Sequence, residues 1–277
     1  MTKCVKRGSK IEWILAQNNN SKTYTMKRSA SSTASLSSAA TVPLLQTRYN
    51  HNNLDCYEIG VDEAGRGPLF GRLYVGAAVL PKGSEFRHDL MKDSKKFSSK
   101  KKRQEIAEYI KTNALAWSIQ YLDASVIDEI NIRQAVLRAM HSVCRDVMST
   151  LGSDHTNTML LIDGNDFKPL TIYDNDTEDL HVVPHDTVEG GDNTYTAIAA
   201  ASILAKVAHD EYIEMMCLEH PELVTKYGLD TNMGYGTKRH LDGILEHGIT
   251  QWHRRTYGRC REAAVSMVLD PGEQLGL

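Results

Sequence analysis

The chain has 277 residues, of which 41% are hydrophobic and 24% are charged, and its net charge is −3, as in an ordinary globular protein. It contains no run of about 18 apolar residues, so we predict no membrane-spanning helix. The five cysteines lie far apart, without C-x-x-C or a Cys/His zinc spacing, which favours reduced thiols over a disulfide framework or a zinc finger.

Residues 1–54 are rich in Ser, Thr and Asn, and this composition predicts a disordered basic tail. Residues 1–50 contain eight Lys or Arg and one acid, Glu12, a charge of +7 that leaves −10 for the rest of the chain. We expect a cytoplasmic location, but the acid-poor, Ser-rich tail also resembles a transit peptide for a mitochondrion or another organelle. The acidic body does not suggest a bulk nucleic-acid coat, although a local basic track is compatible with it.

The folded body is predicted to extend from Asp55 to Cys260, with residues 261–277 as a C-terminal tail. The predicted elements, in chain order, are strands at Tyr57–Val61 and Leu73–Leu80, a helix capped by Ser98 or Ser99, a strand at Trp117–Leu122, a long helix at Ala124–Met148, strands at Met159–Asp163 and His181–Pro184, and helices at Ala197–Met216 and Lys238–Glu246. Alternating strands and helices predict an α/β fold, and the short early turns predict a mixed sheet. The region after about residue 215 is expected to be a helical part of the same core.

Four acids lie at the ends of predicted elements. Asp62 and Glu63 follow the first strand, Asp163 ends a later strand, and Asp192 precedes the alanine-rich helix. Neighbouring parallel strands would bring such ends together, where carboxylates repel one another unless cations neutralise them. Oxygen ligands favour Mg²⁺ or Mn²⁺ over zinc, and two such ions can catalyse phosphodiester hydrolysis. The alternative is that each acid is only a helix cap or a surface charge.

Three other stretches have the composition of ligand-binding segments. Gly65-Arg66-Gly67 allows close approach of backbone N–H groups to a ligand, but a tight turn with a solvated arginine is an equal alternative. The basic run from Lys92 to Arg103 is either a solvated helix face or a phosphate track. Tyr235, between Gly234 and Gly236, is either a packed turn residue or a ring that stacks on a sugar or base.

Together these residues belong to ordered motifs that resemble type 2 ribonuclease H (the ribonuclease HII family), from about Tyr57 to Tyr257. The motifs are Val61-Asp62-Glu63-Ala64-Gly65-Arg66-Gly67-Pro68, Asp93-Ser94-Lys95-Lys96, Ile130-Asn131-Ile132, Ile162-Asp163-Gly164-Asn165, Gly191-Asp192, the run Ile198–Val207, Gly234-Tyr235-Gly236-Thr237 and His253-Arg254. Their common order along the chain makes chance similarity very improbable.

The resemblance implies a ribonuclease H-like mixed sheet flanked by helices, with a helical C-terminal part. It implies a monomeric endonuclease that cleaves the RNA strand of RNA/DNA hybrids and cuts 5′ of ribonucleotides embedded in duplex DNA, for ribonucleotide removal in replication and repair. Products would carry 3′-OH and 5′-phosphate ends, and the cofactor would be Mg²⁺ or Mn²⁺. Non-catalytic hybrid binding and another two-metal nuclease activity are the alternatives.

The resemblance also assigns roles to individual residues. It implies that the catalytic metal ligands are Asp62, Glu63, Asp163 and Asp192. It further implies that Gly65-Arg66-Gly67 senses the ribose 2′-OH, that Tyr235 stacks on the following deoxyribose, and that Lys95 and Lys96 contact backbone phosphates.

The chain departs from the family pattern at three positions: Arg72 and Gln251 replace prolines, and His209 replaces an arginine. These departures leave open whether Arg72 loosens the start of the second strand or adds a phosphate contact, and whether His209 keeps a basic residue's role. The segment Gln274–Leu277 faintly resembles a peptide that binds a sliding clamp, although the aromatic end of such a motif is missing; the alternative is a frayed terminus.

Overall fold

A computed structural model describes residues 2–7, 10–15, 45–50, 53, 55–94, 97, 99–175 and 177–265. Lys95, Lys96 and the clamp-like segment Gln274–Leu277 lie outside the described residues, so the predictions about them remain predictions. Within the described part of the chain, no helix combines the length and apolar character needed to cross a membrane.

The described elements alternate between strands and helices. The strands are β1 Thr2–Arg7, β2 Lys10–Leu15, β3 Tyr57–Ala64, β4 Leu73–Val79, β5 Ala116–Leu122, β6 Thr158–Asp163, β7 Thr171–Asp174, β8 Asp179–Val182 and β9 His185–Val188. The helices are α1 Lys100–Asn113, α2 Ala124–Ile130, α3 Ile132–Leu151, α4 Thr196–Glu219, α5 Glu222–Tyr227, α6 Leu229–Asn232 and α7 Lys238–His247.

Seven strands form one sheet in the order β2-β1-β5-β4-β3-β6-β9, while β7 and β8 form a separate hairpin. The pairs β3–β6 and β6–β9 are parallel, and the other neighbours in the sheet are antiparallel. The protein has two hydrophobic cores against the sheet. Helices α1 and α4 and the C-terminal elements pack on the first core, and α2 and α3 pack on the second. The predicted mixed α/β sheet flanked by helices, with a helical C-terminal part, is therefore confirmed.

Helix α4 lies unusually close to the sheet because glycines face it. A Cβ on Gly60 would lie 2.1 Å from the Ala197 carbonyl carbon, and a Cβ on Gly76 would lie 2.5 Å from the Ala201 carbonyl oxygen. Only glycine leaves room for this approach, and the small alanines of α4 complete the contact. The close packing fixes the position of α4 relative to the carboxyl end of β3.

Two element predictions were wrong in detail. The predicted helix Ala124–Met148 is two helices, because Asn131 adopts φ 64° between them and its side chain caps α3 by accepting from the Gln134 N–H. The predicted strand His181–Pro184 covers only the end of β8, which belongs to the hairpin, and β9 in the main sheet begins just after it, at His185. The backbone of Asn131, with φ 64° and ψ 161°, lies outside the helical region, which explains the break between α2 and α3.

The structure describes two parts of the N-terminal segment that was predicted to be a tail. Residues 2–7 and 10–15 form the strand pair β1 and β2, which extends the sheet beside β5. Residues 45–50 also contact the body: Gln46 N–H donates to the Thr194 carbonyl at 2.8 Å, and Thr196 N–H donates to the Gln46 carbonyl at 3.0 Å.

Candidate active site

Three of the predicted acids lie at the carboxyl ends of two adjacent parallel strands. Asp62 and Glu63 are near the end of β3, and Asp163 is the last residue of β6. Val61 pairs with Ile162 in parallel register, so the next residue on each strand, Asp62 and Asp163, continues the same row. The Glu63 N–H donates to Asp62 Oδ1 at 2.7 Å, which orients the Asp62 carboxylate.

The fourth acid, Asp192, lies in the 3₁₀ helix Gly191–Asn193 just before α4. The Gly191 N–H donates to Asp163 Oδ1 at 2.7 Å, which joins this short helix to the end of β6. Asp192 Oδ1 accepts a hydrogen bond from Asn193 Nδ2 at 2.9 Å. Within the described residues, no three of the four carboxylates have ligand atoms within 4.8 Å of one another, so the set is open.

Burial and like charge make the acid pair on β3 electrostatically costly. Burial raises the pKa of the Asp62 carboxyl well above its usual value, and the charges of Asp163 and Glu63 raise it further, against the effect of hydrogen bonds from Ser202 and the Glu63 N–H. Burial also raises the pKa of Glu63, while Arg66, 3.4 Å away, acts in the opposite direction. Such a site gains free energy when it binds positive charge.

The Gly65–Gly71 turn after β3 is fixed by a buried arginine. Arg254 is fully buried, and its guanidinium donates to the carbonyls of Gly65 at 2.6 Å, Arg66 at 3.0 Å and Gly71 at 3.0 Å. The Tyr257 hydroxyl also donates to the Arg66 carbonyl, at 3.1 Å. Because these carbonyls accept hydrogen bonds from Arg254 and Tyr257, the conformation of the turn is fixed by the protein itself.

Tyr235 borders the same turn. The Leu69 N–H donates to the Gly234 carbonyl at 2.8 Å, which joins the two glycine-containing loops. A Cβ on Gly67 would lie 3.6 Å from Tyr235 Cε1, and the Tyr235 side chain remains 42% exposed. The structure thus brings the four acids, Gly65-Arg66-Gly67 and Tyr235 to one region of the surface.

Arg72, which replaces the proline usual in the family, is held by its neighbours. Its Nε donates to Asp123 Oδ1 at 2.7 Å. Its guanidinium carbon lies 4.0 Å from the centre of the Tyr121 ring and 4.5 Å from that of Tyr212, which are cation–π distances. Arg72 therefore ties the start of β4 to β5 and α4.

His209 lies behind the glycine turn and is fully buried. Its Nδ1 lies 3.1 Å from Asp210 Oδ1, while Arg103 and Lys206 form ion pairs with the Asp210 carboxylate at 2.8 and 2.7 Å. Burial lowers the pKa of His209. A buried imidazole thus replaces the arginine expected at this position, and it packs against Gly65.

Sequence reasoning gave no role to three residues that shape the site. Ser202 and Arg254 lie within the motifs that carry the family resemblance. The sequence of these motifs does not reveal which residues the two side chains contact. His209 was recognised only as a departure. A serine within an alanine-rich helix and an arginine in a turn-rich segment were the available signals for the first two.

Comparison with solved structures identifies the fold of the protein. The crystal structure of ribonuclease H2 from Pyrococcus horikoshii OT3 has a TM-score of 0.54, 24% identity, and coverage of 74% of this chain and 95% of that chain. The ribonuclease HII of the PCNA:RNase HII complex from Archaeoglobus fulgidus has a TM-score of 0.53, 23% identity, and coverage of 73% and 95%. The chain therefore has the ribonuclease H fold.

Sequence comparison then assigns the family. The sequence model of the family Ribonuclease HII matches residues 59–260. A protein named Ribonuclease HII from Bacteroides thetaiotaomicron is 42% identical over 205 residues, which cover 74% of this chain and 91% of that protein. The chain belongs to the ribonuclease HII family. It is an endoribonuclease of the ribonuclease H class, which acts on RNA/DNA hybrids.

Proposed function

We propose that this ribonuclease H also cuts duplex DNA 5′ of single embedded ribonucleotides, leaving 3′-OH and 5′-phosphate ends. The observation that supports this most is that one continuous stretch, from Asp62 to Gly71, carries two of the acids and the glycine turn. A 2′-OH recognised at the turn would thus lie a few residues from the carboxylates. Only this hydroxyl distinguishes RNA from DNA locally, so the cut needs no particular base sequence.

The four acids are the proposed ligands of divalent cations. Asp62, Glu63, Asp163 and Asp192 offer only oxygen donors, the chemistry that suits Mg²⁺ or Mn²⁺. The pKa of the Asp62 carboxyl is raised first by burial and then by the charges of Asp163 and Glu63. This supports the proposal that these acids bind a shared cation, which would offset their repulsion. Ions held there would lower the pKa of water and would neutralise charge on the departing oxygen.

The remaining residues bind and orient the nucleic acid. The backbone of Gly65-Arg66-Gly67, fixed by Arg254, approaches the ribose. The half-exposed Tyr235 ring, beside Gly67, stacks on the next sugar. Lys95 and Lys96 are proposed to contact the phosphate backbone, as positive side chains near such a site would.

The biological role that follows is removal of ribonucleotides during DNA replication and repair. The proposed partners are hybrid and ribonucleotide-containing duplexes, bound by a monomer in the cytoplasm. The archaeal relative described above was solved in a complex with PCNA, and a sliding clamp is a second proposed partner of this chain through Gln274–Leu277.

The test is cleavage of a labelled DNA duplex that carries one ribonucleotide, in Mg²⁺ and separately in Mn²⁺. We expect one nick, on the 5′ side of the ribonucleotide, and no cleavage of the same duplex made only of DNA. Cleavage of the all-DNA duplex would indicate a different two-metal nuclease. Binding of the hybrid without cleavage in either metal would indicate a binding module.

Replacement of one acid separates catalysis from folding. Asp163→Asn removes a charge at the centre of the proposed set and should lower the cleavage rate by about 100-fold or more, as expected for loss of a metal ligand. The melting temperature should not fall. Asp242→Asn is the matched control, because Asp242 is an exposed acid on α7 that pairs with Lys238. Equal rates for the two variants would contradict the assignment of Asp163.

A further inference from the structure

A second group of metal-ligating side chains lies at the amino end of β6. His155 precedes β6, Asp174 ends β7 and His181 lies on β8. Asp163 is at the opposite end of β6, six residues long, so roughly 20 Å of strand separates this group from the acids. The hairpin brings the three residues together, although they are distant from the residues assigned to catalysis.

The three side chains converge on a small volume. One ligand atom of each lies within 4.8 Å of those of the other two. The imidazole rings of His155 and His181 are stacked, with centroids 4.1 Å apart and planes 4° apart. His181 Nε2 is 4.0 Å from Asp174 Oδ2 and 2.8 Å from the Thr177 hydroxyl oxygen. The arrangement places two imidazoles beside one carboxylate.

Two features of this group are unfavourable as they stand. His155 Nδ1 is buried and has no hydrogen-bond partner, which costs free energy in a folded protein. Asp174 pairs with Asp179 directly across the hairpin, and opposed like charges destabilise a strand pair. A cation bound between the two rings and Asp174 would relieve both, because it takes the Nδ1 lone pair and offsets negative charge.

We propose that His155, Asp174 and His181 bind a divalent transition-metal ion, and that the donors favour Zn²⁺. Two nitrogens and one carboxylate oxygen are a zinc ligand set, whereas Mg²⁺ prefers oxygen alone. Water completes the fourth position. Parallel rings cannot both point at one ion, so one ring rotates on binding, and the ligand atoms draw in to roughly 3.3 Å from one another.

The ion would join the β7–β8 hairpin to the loop before β6. An isolated two-stranded hairpin is marginally stable in water. This one forms a sheet of its own and exposes Tyr173, Leu180 and Val182. Zinc therefore acts as a structural link, independent of the ions proposed for catalysis, and the inference does not rest on the proposed function.

The experiment measures Zn²⁺ binding by the full-length, EDTA-treated protein against a chromophoric chelator. We expect one equivalent that Asp163→Asn retains and that His155→Gln or His181→Gln weakens at least about tenfold. His247→Gln, which changes another partly exposed histidine beside a carboxylate, is the matched control and should not weaken binding. Zn²⁺ affinity unchanged in both cluster variants, or binding lost only in Asp163→Asn, would overturn the proposal.

A second measurement uses the unaltered protein and so avoids variants that fold poorly. Zn²⁺ should protect His155 and His181 from modification by diethyl pyrocarbonate, read at each site by mass spectrometry, while His247 stays reactive. Equal modification with and without Zn²⁺ would exclude the site. The His155→Gln variant should keep its Mg²⁺-dependent cleavage rate, which separates this result from any failure of the nuclease assignment.

Discussion

Gly65 stands where any side chain would collide with the structure. Its φ is 83°, and a Cβ would lie 2.6 Å from His209 Cδ2 and 2.8 Å from the Arg72 carbonyl oxygen. Gly152 also has a positive φ, 64°, but a Cβ added there would have no atom within 4 Å. An alanine at position 152 therefore measures the cost of the backbone conformation without a steric clash. We expect Gly152→Ala to cost about 1 kcal/mol and Gly65→Ala clearly more.

The same pair tests the turn's role in recognition. Gly65→Ala should lower cleavage of the single-ribonucleotide duplex at least about tenfold, since the turn must shift away from His209. Gly152→Ala should leave the rate unchanged. Thermal melts and initial rates on the two variants give both results, and equal rates would show that the turn tolerates the shift.

Asp62 predicts a pH dependence with a definite sign. Its folded-state pKa is raised, first by burial and then by Asp163 and Glu63, so the folded protein holds this proton more tightly than the unfolded chain. Stability contributed by the protonated carboxyl is therefore lost as pH rises through the folded-state pKa. In EDTA at neutral pH, Asp62→Asn should melt a few degrees above the unaltered protein, and in Mg²⁺ it should lose the cleavage activity that the unaltered protein shows.

The difference in melting temperature between Asp62→Asn and the unaltered protein should shrink as pH falls towards the usual aspartate pKa. Asp89→Asn is the opposite case, because Arg87 lowers the pKa of Asp89 and stability from that pair is lost as pH falls. A lower melting temperature for Asp62→Asn at neutral pH would show that the carboxylate stabilises the fold.

At the scale of elements, residues 45–50 act as part of the folded body. Glu58 on β3 is buried and accepts from the N–H groups of Tyr49 and Asn50 at 3.0 Å, and Lys82 pairs with the same carboxylate. The Tyr49 hydroxyl donates to Asp186 Oδ2 at 2.8 Å. These contacts lie before the predicted start of the body at Asp55.

Two truncations test this. Deletion of residues 1–44 removes strands at the sheet edge and should preserve cleavage activity. Deletion of residues 1–54 also strips Glu58 of two backbone donors, which should cost roughly 2–4 kcal/mol more. Urea denaturation of the two truncated proteins measures the difference. Similar midpoints would mean that solvent replaces the Tyr49 and Asn50 donors.

Elements were predictable from the sequence where an apolar run coincides with one strand and a polar or charged residue marks its end. Strands β3 and β6 are buried runs that end in acids, so both the strands and the position of Asp62 and Asp163 followed. Strand β9 is His185-Asp186-Thr187-Val188, which has no apolar pattern; its pairing with β6 alone makes it a strand. Arg254 was not predictable as buried, because its three acceptors are 183, 188 and 189 residues away in the chain.

At the scale of the whole molecule, Arg254 connects the two ends of the catalytic body. Arg254→Lys keeps the charge, but an ammonium cannot donate to three separate carbonyls as the planar guanidinium does. We expect a loss of roughly 2–4 kcal/mol in unfolding free energy and a strongly reduced cleavage rate. The adjacent exposed Arg255 provides the control variant, Arg255→Lys, and matching melting temperatures would refute the role of Arg254.

The Arg254 contact also sets the order in which a newly made chain becomes competent. The Nη2 group that holds the Gly65 carbonyl is supplied 189 residues later. At roughly 5–20 residues per second, a ribosome needs on the order of 10–40 s to cover that interval. All four acids leave the ribosome before the arginine does, so a nascent chain carries its carboxylates for many seconds before the glycine turn can be locked. The glycine turn can therefore take its locked conformation only after Arg254 has been synthesised.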